Sequence, residues 1–348
     1  MMHVTPLKKV KGVRIKGMSG VQTLKVNSDE AGMRVDRWFK HRFPQLGHGR
    51  LQKLLRTGQV RVEGRRVKSG TRLDQGQMIR IPPMGPRPPK ADKSTPVISK
   101  NAARDLKDRV LHWDEDVIVI NKPSGLAVQG GSGLHRHLDA MLDALRFGAE
   151  EKPRLVHRLD KDTSGVLLLA RNAAVARTLT NAFRTKKIRK LYWSVVVGVP
   201  EPSEGVIDLA LSKLPGRHGE RVGPDVQAGK KALTHYRVID QAGGKAAWLA
   251  FEPLTGRTHQ LRVHALALGT PILGDGKYGG KAAFLDGEDI AGRLHLHARA
   301  LQFSHPKGGI LEIAAPLPEH IRATFQTFGF DDRQKQEMFI KVKDLGDN

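Results

Sequence analysis

The sequence lacks cysteine altogether in its 348 residues. Disulfide bonds and thiolate metal sites are therefore excluded, and a cytoplasmic setting is the simplest expectation. Long apolar runs are also missing: no stretch of 18 apolar residues occurs, so no membrane span is predicted. Aromatic residues make up 5% of the chain and include three tyrosines, so a tyrosine beside a polar motif is more informative than usual.

Acidic residues are scarce at the amino end of the chain. Residues 1–28 contain none, and residues 1–100 hold 23 Lys and Arg against 6 Asp and Glu, a net charge of +17 out of +24. This asymmetry indicates a polyanionic partner. Nucleic acid is favoured over a membrane surface because no long basic amphipathic helix or lipidation signal occurs. We expect residues 1–32 to form a basic, flexible extension; a transit peptide is the alternative.

Residues 33–83 have the pattern of a small folded unit. Apolar residues at helical spacing predict a helix at 35–43 and a second helix that ends at Gly58. Short apolar stretches at 60–62 and 78–81 predict strands. Two small helices and a few strands therefore fit into about fifty residues.

Three cations lie in one row of the second predicted helix. Arg50, Lys53 and Arg56 recur every three residues, which suits contacts with RNA phosphates. A solvated helix face is the alternative, and the surrounding charge excess favours RNA. With this basic helix and the turn after it, the unit resembles an S4 domain, a small RNA-binding fold of ribosomal and RNA-modifying proteins.

A second, larger domain is predicted after a linker. Residues 84–108 are rich in proline and charge, which is typical of a linker, and 331–348 form a charged tail. Between them, residues 109–330 have many short strands and few helices, which favours an α+β fold built on an antiparallel or mixed sheet. Its clearest elements are a strand at 117–120, a helix at 138–145 and a strand at 191–199.

The stretch LVHRLDKDTSGVLLLAR, residues 155–171, places a charged loop between two apolar runs. The runs at 155–156 and 166–170 predict buried strands. A loop of both charge signs that is held by core strands suits a catalytic group, and a surface hairpin is the alternative.

Four further segments carry unusual polar motifs: NKPSGLAVQGGSG at 121–133, KLYWSVVVG at 190–198, LTGRTHQLRVHALALGTPILGD at 254–275 and RLHLHARALQFSHP at 293–306. Together with the HRLDKDTSG loop they resemble the RluA/RluC/RluD-type pseudouridine synthases, which isomerise uridines in ribosomal RNA. The resemblance spans roughly residues 110–325, and QGGSG is closer to the RluC branch. It implies a catalytic domain on a mixed, mainly antiparallel sheet and large-subunit (23S) ribosomal RNA, or its assembly intermediates, as the partner.

The resemblance also implies the site residues. Asp160 is the expected catalytic carboxylate, and attack on C1′ and removal of a ribose proton both remain open as its role. Arg262 is expected to pair with Asp160 and hold it ionised. Tyr192 is expected to stack on the detached base and to serve in proton transfer. The target base is expected to be flipped out, with Arg158 either filling the gap or holding the neighbouring phosphate.

Lys190 and Arg257 are expected phosphate contacts. No metal or cofactor is implied, because the isomerisation involves no net oxidation. Five histidines lie in the last two motifs, but without the spacing of a metal site. They are His259, His264, His295, His297 and His305.

Three other functions compete with an isomerase. The chain could be a catalytically silent RNA-binding or ribosome-assembly factor, a nuclease using His157 and Asp160, or a basic scaffold. Intact Asp160, Tyr192 and Arg262 favour the enzyme, and a scaffold would not need buried strands around the HRLD loop. The sequence does not identify the uridines.

Overall fold

A computed structural model describes residues 20–44, 46–83, 99–130, 136–214, 221–286, 290–333 and 339. The chain divides into two compact units, Met1–Ser94 and Thr95–Asn348. Within the described ranges, no helix is both long and apolar enough to cross a membrane.

The small unit packs two helices on a four-stranded sheet. Its elements are β1 (Gln22–Lys25), α1 (Val35–Arg42), α2 (His48–Arg56), β2 (Arg61–Val62), β3 (Arg65–Arg66) and β4 (Met78–Ile81). The strands are antiparallel in the order β1-β4-β2-β3. Trp38 and Phe39 of α1 are fully buried and form the centre of the core with Ile79 of β4. The predicted helices and strands are confirmed.

The small unit begins earlier than predicted. Strand β1 pairs along its length with β4, so the expectation of a flexible extension reaching residue 32 was wrong for residues 22–32. Glu30 is buried and accepts two hydrogen bonds from Arg42 at 2.5 and 2.9 Å. Burial raises the pKa of Glu30, but hydrogen bonds from Arg42 and from the Asn27 backbone N–H outweigh it and lower the pKa to about 2. A four-residue strand with alternating burial carries too short a pattern to identify from sequence. Residues 1–19 lie outside the described part.

The large unit contains five helices and twelve strands in its described residues. The helices are α3 (Lys100–Asp108), α4 (Leu138–Met141), α5 (Ala173–Arg184), α6 (Gln260–Ala267) and α7 (Glu319–Phe328). The strands are β5 (Val110–Trp113), β6 (Val117–Lys122), β7 (Arg154–Leu155), β8 (Ser164–Ala170), β9 (Arg189–Val197), β10 (Glu204–Asp208), β11 (Leu211–Leu214), β12 (Arg221–Pro224), β13 (Leu233–Ala242), β14 (Ala246–Pro253), β15 (Leu296–Ser304) and β16 (Ile310–Ala314).

Ten of these strands form one sheet. Its main path is β10-β13-β14-β9-β15-β8-β6-β5, while β16 pairs with β15 and β7 with β8. Only β8 and β15 run parallel among the paired strands of this sheet in the described residues. The prediction of an α+β fold on a mixed, mainly antiparallel sheet is therefore confirmed.

The parallel pair lies at the centre of the sheet, directly after the HRLDKDTSG loop. All seven residues of β8 are buried, which explains its unbroken apolar run. Gly165 has φ +109° and approaches β15 so closely that a Cβ would lie 2.2 Å from the carbonyl oxygen of Ala298. Any residue with a Cβ atom would clash with β15 at this position, so only glycine is accommodated. The close approach of the two strands determines where the loop before β8 ends.

Two other predicted boundaries differ from the structure. The linker prediction was wrong for residues 100–108, which form α3: Ser99 accepts a hydrogen bond from the Ala102 backbone N–H, and Leu106 is buried. Residues 84–98 lie outside the described part. In the predicted tail, Phe339 is buried with the guanidinium of Arg189 over its ring at 4.6 Å. Each of these two segments has one deeply buried apolar residue, and a single apolar residue does not distinguish a folded segment from a charged linker in the sequence.

Candidate active site

The loop that carries Asp160 runs from β7 to β8. Leu159, next to Asp160, is 5% exposed and anchors the loop in the core beside Leu167 and Leu169 of β8. Arg158 and Asp160 lie on either side of this anchor and both line a cavity. The inward leucine therefore holds its two polar neighbours at the cavity wall.

Lys122 joins this loop to the turn that follows β6. Its side chain is fully buried, and its Nζ donates hydrogen bonds to the carbonyl oxygens of Pro123, Leu126 and Lys161 at 2.9, 2.9 and 3.0 Å. Burial lowers the pKa of Lys122 to about 8, although the charges of Asp162 and Asp160 act in the opposite direction. All three donors are satisfied, so Lys122 is a fixed cross-link between the NKPSG turn and the Asp160 loop.

His157 also shapes the loop. Its Nε2 accepts the backbone N–H of Leu168 at 2.8 Å, and its ring stacks on Phe183 with a centroid distance of 4.3 Å. Burial, followed by the charge of Lys190, lowers the pKa of His157 to about 3. A neutral ring whose Nε2 is already an acceptor is poorly suited to acid–base work, which weakens the nuclease alternative.

A cavity of about 510 Å³ brings together the site residues predicted in the large unit. Its lining includes Arg158, Asp160, Lys190, Tyr192, Arg257 and Arg262. These residues come from the β7–β8 loop, from β9, and from α6 and the segment before it, which are distant in sequence. Arg50, Lys53 and Arg56 lie in the small unit, where they are exposed on α2 as predicted.

Tyr192 extends from β9 into this cavity and is half-buried. Burial and, next, the negative charge of Asp160 raise the pKa of its hydroxyl above the ordinary value. The phenol is therefore protonated at neutral pH and close enough to Asp160 to sense its charge.

Arg262 does not make the ion pair that was expected. Its Nε and Nη2 donate to the two carboxylate oxygens of Asp275 at 2.8 and 2.5 Å, and both side chains are buried. Burial lowers the pKa of Arg262, but Asp275 and, more weakly, Asp160 raise it above its usual value. Arg262 thus adds positive charge near Asp160 while its hydrogen bonds go elsewhere. The helical spacing could not distinguish these partners, because Asp275 follows a turn beyond α6.

His259 lies within ion-pair distance of Asp160. Its Nε2 is 3.8 Å from Oδ2 of Asp160, and its Nδ1 is 2.7 Å from the hydroxyl of Tyr278. Burial lowers the pKa of His259, with the charge of Asp160 opposing that effect. The position of His259 was not predicted from the sequence, where it was one of five histidines without the spacing of a metal site. His259 lies in the polar GRTHQ motif, which marks a functional segment, but nothing in the sequence indicated that this motif lies beside the HRLD loop.

Gln260 holds the segment before α6. Its Oε1 accepts from the Thr255 hydroxyl at 2.7 Å and from the Arg257 backbone N–H at 3.0 Å. Its Nε2 donates to the Leu233 carbonyl and to the Thr234 hydroxyl. All the polar groups of this buried amide are engaged, so the residues on either side have defined positions.

The remaining histidines have other surroundings. His264, His295 and His297 are fully buried, and burial is the main cause that lowers their pKa values, to about 4, 4 and 3. His297 lies 2.9 Å from the Ser164 hydroxyl, and His295 lies 2.8 Å from the Thr324 hydroxyl. In the described part of the chain, no group of three or more His, Cys, Asp or Glu is arranged to hold a metal ion.

The cavity wall is strongly basic. Arg184 and Lys186, at the end of α5, join the predicted cations there. Among the described lining residues, six are lysine or arginine and one, Asp160, is a carboxylate. Burial, together with the charge of Lys186, lowers the pKa of Lys190 to about 8. Such a wall attracts a polyanion and presents one carboxylate to it.

Comparison with known proteins agrees with this geometry. The family profile described as RNA pseudouridylate synthase matches residues 116–267. The ribosomal large subunit pseudouridine synthase C of Vibrio cholerae is 36% identical over 86% of this chain and 95% of its own length. The protein of the same name from Escherichia coli K12 is 36% identical over 88% and 96%. The structure of human RNA Pseudouridylate Synthase Domain Containing 4 matches 65% of this chain and 95% of its own, with a TM-score of 0.55 and 29% identity.

The chain therefore belongs to the RNA pseudouridylate synthase family, and it is an isomerase. Within the family it falls with the ribosomal large subunit pseudouridine synthase C proteins, the branch that the QGGSG motif predicted. The enzyme class and the family resemblance stated from sequence are confirmed.

Proposed function

We propose that the protein isomerises specific uridines of large-subunit ribosomal RNA to pseudouridine, with Asp160 as the catalytic carboxylate. The observation that carries this is the basic cavity in which Asp160, Tyr192 and Arg262 converge. The bacterial relatives are named for large-subunit ribosomal RNA, which supports the substrate. A catalytically silent factor would have no need of a lone carboxylate inside a basic pocket.

The chemistry needs a carboxylate beside the ribose of an extruded uridine. Asp160 is 21% exposed at the cavity wall, so it is accessible to a nucleotide but partly shielded from water. Its carboxylate acts on the ribose, either at C1′ or as a base. Tyr192 provides a face for the detached uracil, and its protonated hydroxyl is available for proton transfer. Arg262 supplies positive charge close to the developing anionic uracil.

The RNA strand follows the basic wall of the cavity. Arg158 and Arg257 are exposed in the cavity lining, and Lys190 is half-buried there. Among the described residues, no carboxylate pairs with Lys190, so a phosphate is the group that would satisfy its charge. Arg158 holds the strand next to the extruded base, and Arg184 and Lys186 extend the wall toward flanking phosphates.

The small unit provides a second contact with RNA. We assign residues 33–83, together with β1, to an S4-like RNA-binding domain in which Arg50, Lys53 and Arg56 face phosphates. The ribosomal substrate implies a cytoplasmic location. Asp160, Tyr192 and the cations suffice for this isomerisation, and neither a metal nor a cofactor takes part.

Mapping of pseudouridine after incubation with a 23S-type transcript tests the proposal. Wild-type protein should produce new carbodiimide-dependent stops in primer extension, whereas Asp160→Asn should produce none while its RNA affinity stays within about threefold. Asparagine keeps the size of the side chain but removes its charge and replaces one acceptor oxygen by an NH2 group. Stops that persist with Asp160→Asn would reject the catalytic assignment. If neither protein yields stops on naked transcript or on assembly intermediates while both bind RNA, the silent factor is the correct alternative.

A further inference from the structure

We propose that His259, oriented by Tyr278, is a positioning residue that donates its Nε2–H toward Asp160 and holds the carboxylate in its reactive orientation. The proposal rests on the function assigned to Asp160 above and deepens it. His259 and Tyr278 are distinct from Asp160, Tyr192 and Arg262, to which the chemistry is assigned above.

The backbone of His259 is held in an unusual conformation. The residue has φ +53° and ψ +21°, the left-handed region that non-glycine residues rarely adopt, immediately before α6. Such a conformation persists only where its surroundings maintain it. Here the ring of Tyr278 packs edge-on against the His259 ring with a centroid distance of 5.5 Å, and the following residue, Gln260, is anchored by four hydrogen bonds.

The contacts of His259 with Tyr278 and Asp160 together favour the tautomer that carries its proton on Nε2. The Tyr278 oxygen accepts the backbone N–H of Val222 at 3.3 Å, and its own O–H is free to donate to Nδ1 of His259 at 2.7 Å. The proton of the neutral imidazole then resides on Nε2, which faces Oδ2 of Asp160 at 3.8 Å. The opposite tautomer would direct a lone pair at a carboxylate, which is unfavourable.

The position of Arg262 explains why a separate donor is needed. Its guanidinium is engaged by Asp275, and it lies 4.9 Å from the centroid of the Tyr278 ring. Tyr278 therefore contacts both the cation and the histidine, but the cation gives its hydrogen bonds to Asp275. His259 places a ring nitrogen 3.8 Å from the Asp160 carboxylate and can act as that donor.

The separation of 3.8 Å is slightly longer than a hydrogen bond. A movement of about 1 Å as RNA enters would form a charge-assisted bond to Oδ2. One carboxylate oxygen is then held by His259, and the other is directed toward the ribose. His259 affects the reaction through Asp160, so its loss should slow the chemical step and leave RNA binding largely intact.

Three substitutions separate this role from a structural one. His259→Leu removes the donor, His259→Gln keeps an N–H donor near the position of Nε2, and Tyr278→Phe removes only the phenolic hydroxyl. A matched control is His305→Leu, because His305 pairs with Asp114 at 3.2 Å and neither residue lines the cavity. Each full-length variant is assayed for melting temperature, RNA affinity and single-turnover release of tritium from RNA labelled at C5 of uridine.

We expect His259→Leu to reduce the single-turnover rate about 100-fold, with Kd within about threefold of wild type. His259→Gln should recover at least about tenfold of that loss, Tyr278→Phe should be about tenfold slow, and His305→Leu should match wild type. A Gln variant as slow as the Leu variant would show a structural role and overturn the proposal. If His259→Leu does not fold, a wild-type rate for Tyr278→Phe overturns it.

Parallel measurement of Asp160→Asn distinguishes the two proposals. If Asp160→Asn is inactive and His259→Leu has the wild-type rate, the positioning role fails and the catalytic carboxylate stands. If Asp160→Asn retains activity, the assignment of Asp160 fails and the positioning role of His259 fails with it.

Discussion

Single side chains in this protein acquire their properties from burial and from neighbouring charge. Lys190 illustrates this: it is a lysine at the cavity wall whose pKa burial and Lys186 lower to about 8. A neutral amine binds phosphate poorly, so the proposed phosphate contact of Lys190 makes RNA affinity depend on the protonation state of this residue.

The affinity for RNA should therefore weaken as the pH rises toward and past 8. Lys190 is charged below its pKa and loses its proton above it, so Kd should increase about fourfold between pH 6.5 and 8.5, as expected if only the protonated form binds. Lys190→Arg should abolish this dependence because arginine stays protonated. Lys187→Arg, a neighbour that does not line the cavity, should keep it. Filter binding over this pH range provides the measurement, and identical pH curves for wild type and Lys190→Arg would contradict the assignment.

At the scale of elements, the site is formed by loops whose ends are held in place by strands of the sheet. The HRLD loop ends where Gly165 lets β8 cross β15, and the NKPSG turn ends β6 beside it. Lys122 then joins the two segments by hydrogen bonds to three carbonyl oxygens. The orientation of Asp160 thus depends on a residue that lies outside the cavity lining.

Replacing Lys122 by methionine should destabilise the large unit and slow the reaction. The substitution keeps the volume of the side chain but leaves three carbonyl oxygens without their donor, at a cost of about 1–3 kcal/mol in the free energy of unfolding. Urea denaturation gives this value, and single-turnover assays give the rate. Lys161→Met is the control, because it removes an exposed lysine while keeping the Lys161 carbonyl. An unchanged urea midpoint and rate for Lys122→Met would show that the cross-link is dispensable.

At the scale of the whole molecule, the two units have separate hydrophobic cores and different charge densities. The small unit has its own buried cluster around Trp38, and the first hundred residues carry most of the net positive charge. The large unit contains the carboxylate and the cavity. Under the proposed function, the small unit adds RNA contacts to those of the cavity wall, and the chemistry takes place in the large unit alone.

Replacing Arg50, Lys53 and Arg56 together by glutamine should weaken binding and reduce its dependence on salt. Loss of three phosphate contacts should lower the slope of log Kd against log salt concentration by about 2, since each contributes about 0.7 on single-stranded RNA. The single-turnover rate at saturating protein should stay at the wild-type value. Replacing Arg104, Lys107 and Lys245 by glutamine changes the net charge equally on exposed positions of the large unit. Equal slopes for the two triple variants would show that α2 does not contact the RNA.

The sequence by itself determined the class of fold, the family and the segments that form the site. Buried strands such as β8 have unbroken apolar runs, and amphipathic helices such as α1 have strong local periodicity. The HRLDKDTSG motif is specific enough to single out Asp160. Two short elements were not predicted. β1 and α3 bury so few apolar residues that their sequences have the same pattern as a charged coil.

Only the tertiary structure decided which polar groups meet. Arg262 pairs with Asp275 and His259 faces Asp160, although their spacing in the sequence allowed other partners. Lys122 finds a carbonyl acceptor 39 residues away, and nothing local in the sequence marks that contact. The physical reason is that periodicity reports burial along a single element, whereas hydrogen bonds between side chains depend on which loops the sheet brings within about 3 Å of each other.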